Sequence, residues 1–264
     1  MQKTSKTVTQ FYGCTTIYLY RRNDMDAKKI KLIAFDLDGT LSNHRSHLPE
    51  QNKEALRKLN EKYKLIMMGA GQVGRIFEQM EHFPIDIIGN YGMQYATYNA
   101  ETDSLDMQYN ISVPCDRERV AEIAAYFREK FKLHEYAGES VEFHPSGCIT
   151  FPILGTKAKQ EDKLAFDPDR SKRRAIYDDV KKVFSDFIVF VGGSSSFDMA
   201  PAPYNKAYAL AEYCKEHGIA HDEVVYVGDD YGLGGNDESV YLSDFNYLTI
   251  DDYRDFPEVV KVLL

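Results

Sequence analysis

Two stretches of this 264-residue chain end a run of apolar residues on closely spaced carboxylates. In Phe35-Asp36-Leu37-Asp38-Gly39-Thr40-Leu41, Asp36 and Asp38 stand two positions apart, hence on the same side of an extended chain. The carboxyl end of a strand in a parallel sheet opens on the crevice where such folds expose reactive groups, so both acids would face it. There one carboxylate can attack phosphorus while the other handles the proton on the leaving oxygen. The second stretch, Val224-Val225-Tyr226-Val227-Gly228-Asp229-Asp230, repeats the pattern, and Gly234-Gly235-Asn236-Asp237 follows soon after. Two acidic strand ends suit Mg2+, which takes oxygen ligands and keeps several waters beside one or two carboxylates and a substrate phosphate. Asp36 and Asp229, joined by the backbone carbonyl of Asp38, would suffice. Read singly, the first stretch also fits an acidic turn bent at Gly39, and the second a solvated acidic loop.

Two further segments complete the set. Lys206, at the start of a predicted helix, would sit beside Asp36 and neutralise both its charge and the transferring phosphoryl oxygens. Met67-Met68-Gly69-Ala70-Gly71-Gln72 follows a strand and precedes a helix, a setting in which backbone N–H groups can point at a phosphate. Gly69, Ala70, Gly71 and Gln72 are the phosphate-binding candidates.

The elements that must position these groups are legible as periodicities. Leu32–Phe35, Leu65–Met68, Ile85–Ile88 and Val224–Val227 are continuous apolar runs, as in strands buried on both faces of a parallel sheet. Pro49 to Tyr63 carries Leu56, Leu59 and Tyr63 on one helical face, and Asn205 to His217 stacks Ala207, Leu210, Ala211 and Cys214 before Gly218. The middle of the chain differs, with helices at Arg117–Phe131 and Ser171–Phe184 among hairpin-like strands at 141–143, 148–153, 187–191 and 197–200. The fold class is therefore α/β: a Rossmann-like core with a parallel sheet, formed by residues 28–105 and 201–264, plus an inserted α+β cap at 106–200. Residues 1–27 read as an N-terminal extension, and removing residues 1–24 should leave activity intact.

Composition narrows the partners. A formal net charge of -9 argues against a nucleic-acid surface, which needs clustered Lys and Arg. No apolar run approaches the roughly 18 residues of a membrane helix. Cys14, Cys115, Cys148 and Cys214 form no C-x-x-C pair, so neither a disulfide framework nor a zinc site is indicated and a reducing cytoplasm fits. A small phosphorylated substrate is the expected partner, and a homodimer is compatible with everything in the sequence.

In order and context, the four chemical segments resemble those of the haloacid dehalogenase superfamily of phosphotransferases. The resemblance implies Asp36 as the nucleophile that forms an aspartyl-phosphate and Asp38 as general acid, then base. It implies Lys206 as the charge-balancing lysine, Asp229 as a metal ligand, and Asp237, with Asn236, as a further ligand or support around the metal. The aspartate two residues after the nucleophile marks the phosphatase and mutase branches. Within the superfamily, residues 30–264 look most like the eukaryotic-type phosphomannomutases. The features that carry this likeness are the acidic motif Gly228 to Asp237, the stretch Gly192-Gly193-Ser194-Ser195-Ser196-Phe197-Asp198-Met199-Ala200-Pro201, and the place of Lys206. By that likeness Ser196 and Asp198 are the cap residues that touch the sugar.

The chain departs from that family where a mutase needs a second phosphate held. The family's cap clamp is built from arginines, whose planar fork suits phosphate, yet the matching run from Glu142 to Thr156 contains none, and an upstream arginine position is Ala137. His144, Lys157 and Lys159 offer partial compensation amid Glu135, Glu139 and Glu142, and the family's Ser-Asp beside the Gly-rich turn is Gly71-Gln72 here. A phosphatase acting on a small phosphorylated metabolite is thus the first expectation and a phosphohexomutase the second. A catalytically silent sugar-phosphate-binding protein is the third, opposed by the presence of Asp36, Asp38, Lys206 and Asp229 together.

Overall fold

The computed structural model describes residues 25–264; most of the expected N-terminal extension lies outside the described residues. Five strands come first: β1 (Leu32–Phe35), β2 (Lys64–Met68), β3 (Asp86–Gly89), β4 (Gln94–Asn99) and β5 (Ser104–Asn110). Four follow in the middle: β6 (Glu142–Phe143), β7 (Ile149–Pro152), β8 (Phe187–Phe190) and β9 (Ser196–Pro201). Two close the chain, β10 (Val224–Gly228) and β11 (Asn246–Thr249). The outer groups make one seven-stranded sheet in the order β11-β10-β1-β2-β3-β4-β5, and the middle four a second in the order β6-β7-β9-β8.

In the larger sheet β11 to β3 pair in parallel, while β4 and β5 add an antiparallel hairpin at one edge. The apolar runs are continuous because both faces are covered. Ile33 and Phe35 pack into one layer with helices α1 (Glu50–Asn60) and α2 (Val73–Gln79), which supply Leu56, Leu59, Ile76 and Phe77. Leu32 and Ala34 pack into the opposite layer, against Leu210 and Cys214 of a helix at Lys206–His217. The α/β class expected from the sequence is therefore present, as a three-layer sandwich.

The smaller sheet carries α3 (Arg117–Lys130), α4 (Gln160–Phe166), α5 (Ser171–Ala175) and α6 (Tyr177–Val183), and the helix at Lys206–His217, which follows β9, is α7. Phe127 of α3 and Val180 of α6 pack on Phe151, Phe197 and Met199. Since strand side chains alternate, the residues between them turn to the other face. The register aligns Glu142 with Thr150, Thr150 with Asp198 and Asp198 with Phe190, so these four form one row across the sheet.

Two sequence expectations change. The boundary at 106 falls inside β5, which belongs to the larger sheet, so the inserted segment starts after Asn110; the alternation Leu105, Met107, Tyr109 is the strand signal there. The helix expected at Ser171–Phe184 breaks at Ile176 (φ -112, ψ 6). Before the break Arg173, buried, is tied to Asp167 and to the carbonyls of Gly192 and Ser196. Among the described residues no helix is long and apolar enough to cross a membrane.

Candidate active site

The ends of β1, β2 and β10 and the start of α7 meet at one edge of the larger sheet. Asp36 continues β1, with its N–H donating to Val227 O at 3.0 Å, and is 3% exposed. Lys206 opens α7 immediately after Asn205, whose side chain accepts from Tyr208 N at 2.9 Å and so caps the helix. The Lys206 ammonium is buried and donates to Asp36 Oδ1 (2.5 Å), Asp237 Oδ1 (2.7 Å) and Asn236 Oδ1 (2.8 Å). Its three protons are all committed. Burial works against that charge, but Asp237 and Asp36 more than offset it and hold Lys206 above the ordinary lysine value.

Carboxylate oxygens of Asp36, Asp229 and Asp237 lie within 4.8 Å of one another. Burial pushes Asp36 well above the usual carboxylate range; Lys206 pulls it down, while Asp237 and Asp229 push it further up. Burial, with the Asp237 charge, lifts Asp229 to about 6. This repulsion is what a divalent cation relieves, and the all-oxygen donor set fits a hard one. The three acids differ in what they have to give. Asp237, fully buried, accepts from Lys206 and Tyr226 OH (2.6 Å) on Oδ1 and from Asp230 N (3.1 Å) on Oδ2. Asp36 and Asp229 are engaged through Oδ1 alone among the described residues, by Lys206 and by Thr40 Oγ1 (2.8 Å) respectively, so an oxygen of each remains. Gly39, at φ 99, completes the crowding, since a Cβ there would lie 2.4 Å from Asp229 Oδ2.

Asp38 turns its side chain away from this cluster. Its Oδ1 accepts from Gln79 Nε2 (2.7 Å) and Arg45 N (2.8 Å), and its Oδ2 stands 3.6 Å from Arg75 Nη2. Gln79, buried, also accepts from Arg75 Nη1 at 2.8 Å. With Oδ1 held by two N–H donors, Oδ2 is the oxygen left to exchange a proton.

All four residues of the Gly-rich turn line the cleft above Asp36. The Gly69 N–H is taken by Ile88 O (2.9 Å), as the sheet continues one residue past β2, so Gly69 does not offer it to a phosphate as expected. Across the cleft, of about 610 Å³, stands the row of Glu142, Thr150, Asp198 and Phe190. Thr150 Oγ1 donates to Asp198 Oδ1 (3.0 Å) and lies 3.1 Å from His144 Nε2. Burial raises the Asp198 carboxyl, against the Thr150 hydrogen bond and nearby His144. Ser196 lines the same wall and donates its hydroxyl to Gly192 O (3.2 Å). Lys163 and Arg170 reach the cleft from the cap, whereas Lys157 and Lys159 are not among its lining residues. Arg170 is paired with Asp230.

Sequence reasoning missed Thr40, Tyr226, Gln79, Arg75 and Tyr91. The last stacks on Phe190, with rings 4.4 Å apart and 4° from parallel, where the larger sheet meets the cap. Thr40 lay inside the first motif and could have been read. Tyr226, Gln79 and Arg75 sit on ordinary strand or helix positions and Tyr91 in the short turn after β3, and only the packing gives them partners.

The sequence profile of a family described as haloacid dehalogenase-like hydrolase matches residues 33–237. The phosphomannomutase of Saccharomyces cerevisiae is 25% identical over 229 residues, covering 81% of this chain and 85% of the yeast protein. That of Encephalitozoon cuniculi is 26% identical over 250 residues, covering 89% and 95%. Among solved structures, an IMP-bound, N-terminally truncated IMP-nucleotidase of Plasmodium falciparum superposes with a TM-score of 0.60 at 16% identity, over 89% of this chain and 68% of that one. A phosphatase of the haloalkanoate enzyme superfamily from Bacteroides thetaiotaomicron gives 0.60 at 14%, over 93% and 98%. At those identities the structural likeness concerns the fold alone.

Proposed function

The chain belongs to the haloacid dehalogenase-like hydrolase family, and on that premise we propose that it is a Mg2+-dependent phosphatase that hydrolyses a small phosphorylated metabolite, with a sugar phosphate as the substrate class. The observation that carries the reading is the buried Lys206–Asp36 pair at 2.5 Å, with Asp38 two residues on, one oxygen of which accepts no hydrogen bond and stands 3.6 Å from Arg75 Nη2. Lys206 draws the Asp36 carboxyl toward its ionised form, against burial, and orients it. An oxygen of Asp36 forms a bond to phosphorus as the P–O bond to the leaving group breaks, and Asp38 Oδ2 gives its proton to the departing oxygen. Asp38 then takes a proton from water, the water oxygen bonds to phosphorus, and the bond to Asp36 breaks to release inorganic phosphate. Asp36, Asp229 and the Asp38 backbone carbonyl would hold Mg2+, with Asp237 and Asn236 supporting them through Lys206. The ion supplies positive charge against the phosphoryl oxygens.

Water is the favoured acceptor because, of the Lys and Arg that line the cleft from the cap, Lys163 alone lacks a carboxylate partner among the described residues, and one ammonium is a poor clamp for a second phosphate. The row facing Asp36 offers Glu142, Thr150 and Asp198, acceptors suited to sugar hydroxyls, and Arg170 is already paired. The phosphomannomutase names of relatives near 25% identity support the second reading, a phosphohexomutase. Incubation with hexose 1-phosphates and Mg2+, with and without a hexose bisphosphate, separates the two. Free phosphate is expected; hexose 6-phosphate formed without phosphate release would establish the mutase instead.

A further inference from the structure

We infer that His144 is a positioning residue for the recognition of substrate hydroxyls, acting through the Thr150 hydroxyl on the Asp198 carboxylate; what Asp198 touches is taken from the sugar-phosphate reading above. By sequence His144 is a partial stand-in for a phosphate-binding arginine, but register gives it different neighbours. Glu142 pairs with Thr150 and Phe143 with Ile149, and the hairpin runs one residue further, with His144 N–H donating to Cys148 O at 2.9 Å. Gly147, at φ 91, closes the turn. Side chains alternate along a strand, so His144 falls on the same face as Glu142, as the diagonal neighbour of Thr150. Asp198, opposite Thr150 on the next strand, extends that face, and all four residues line the cleft.

Thr150 Oγ1 stands between two partners, Asp198 Oδ1 at 3.0 Å and His144 Nε2 at 3.1 Å. A hydroxyl has one proton to give. An ionised carboxylate only accepts, so that proton goes to Asp198 and Thr150 must receive one from the ring. The chain therefore runs from Nε2–H to Oγ1 and from Oγ1–H to Oδ1, and the bond at Nε2 selects the Nε2–H tautomer of the neutral imidazole. Burial raises the Asp198 carboxyl, while the Thr150 hydrogen bond and the nearby imidazole favour the ionised form on which this direction depends. On its other side the carboxylate rests on Gly192, where a Cβ would stand 1.9 Å from Oδ2. Each donor in the chain has its acceptor inside the protein, and Ser196 likewise gives its hydroxyl proton to Gly192 O. The row thus presents the carboxylates of Glu142 and Asp198 to the cleft, acceptors for the hydroxyl hydrogens of a sugar, and Nε2 is not free to grip a phosphate.

Two measurements test this. The first is the nitrogen-15 spectrum of the histidine rings in the full chain at neutral pH without substrate, with His144 assigned by its loss in His144→Gln. A proton on Nε2 is expected, disturbed by Thr150→Val and kept by Thr150→Ser. A proton on Nδ1 alone would mean that Asp198 holds the proton and the chain runs the other way, which overturns the inference. The second is kcat/KM for a hexose phosphate relative to acetyl phosphate. His144→Ala and Thr150→Val should each lower that ratio by roughly two- to tenfold, the worth of one hydrogen bond, mainly through KM. Their double variant should lose no more than either alone, because both cut the same chain. His144→Gln, whose amide can place an N–H near Nε2 without a charge, should recover most of the loss. Losses that multiply in the double variant, or His144→Gln as poor as His144→Ala, would overturn the positioning role. If no phosphate ester turns over, the phosphatase reading fails, and the ring spectrum alone upholds or overturns the chain.

Discussion

At the scale of single residues, the site is a problem in charge placement. One ammonium, Lys206, is wedged between Asp36 and Asp237 and has almost no exposure of its own. Removing one partner of a buried ion pair leaves the others uncompensated, at a cost of about 3–5 kcal/mol. Lys206→Met should therefore lose both turnover and that order of stability, read from urea unfolding with Mg2+ withheld; an unchanged midpoint would mean that the three bonds of Lys206 do not hold in solution. Asp38→Asn tests the assignment of the proton to Oδ2. Its kcat should fall by roughly 10²–10⁴ on a sugar phosphate and much less on p-nitrophenyl phosphate, whose leaving oxygen needs no proton. An equal loss on both would assign Asp38 another role.

At the scale of elements, the cap sheet turns sequence into a recognition surface by register alone. Thr150 and Asp198 lie 48 residues apart and meet because β7 and β9 pair antiparallel with those two positions opposite. Phe151, Phe197 and Met199 are drawn to the helices, so Thr150 and Asp198 are turned to the cleft. Asp198→Asn should lower kcat/KM for sugar phosphates more than for acetyl phosphate, which is too small to reach the cap wall. Equal losses on both would remove Asp198 from substrate recognition. The neighbouring elements were legible to different degrees. The buried strands and α7 announce themselves by apolar runs and a capped period. The break at Ile176 and the place of β5 do not, and the place of β5 depends on which sheet edge accepts the hairpin.

At the scale of the molecule, the long acidic loop after β10 joins the carboxylate cluster to the cap. Arg170 reaches Asp230, Arg174 Nε donates to Leu233 O at 3.1 Å, and Val191 N donates to Gly234 O at 2.7 Å. The same loop carries one group whose titration couples to folding. Asp229 is lifted to about 6 by burial first and by the Asp237 charge next, so the folded protein holds that proton more tightly than the unfolded chain does. Its stabilising contribution is full below the ordinary aspartate range and is lost as pH rises through about 6. A divalent cation held by the cluster would take over from the proton above that point. The gain in melting temperature on adding Mg2+ should therefore be larger at pH 7.5 than at pH 5. A gain independent of pH would show that the ion binds elsewhere.

By itself the sequence determined the α/β class and the places of β1, β2, β3 and β10, and it singled out Asp36, Asp38, Lys206 and Asp229 as candidates, because runs of apolar residues, caps and short acidic motifs are local and survive without neighbours. Tertiary structure decided what each of those groups has left to offer. It committed every proton of Lys206 and the N–H of Gly69, filled both oxygens of Asp237, and left Asp38 one oxygen that accepts no hydrogen bond. These outcomes depend on partners from seven to 170 residues away along the chain, and no local pattern encodes which of two competing acceptors a buried donor will meet.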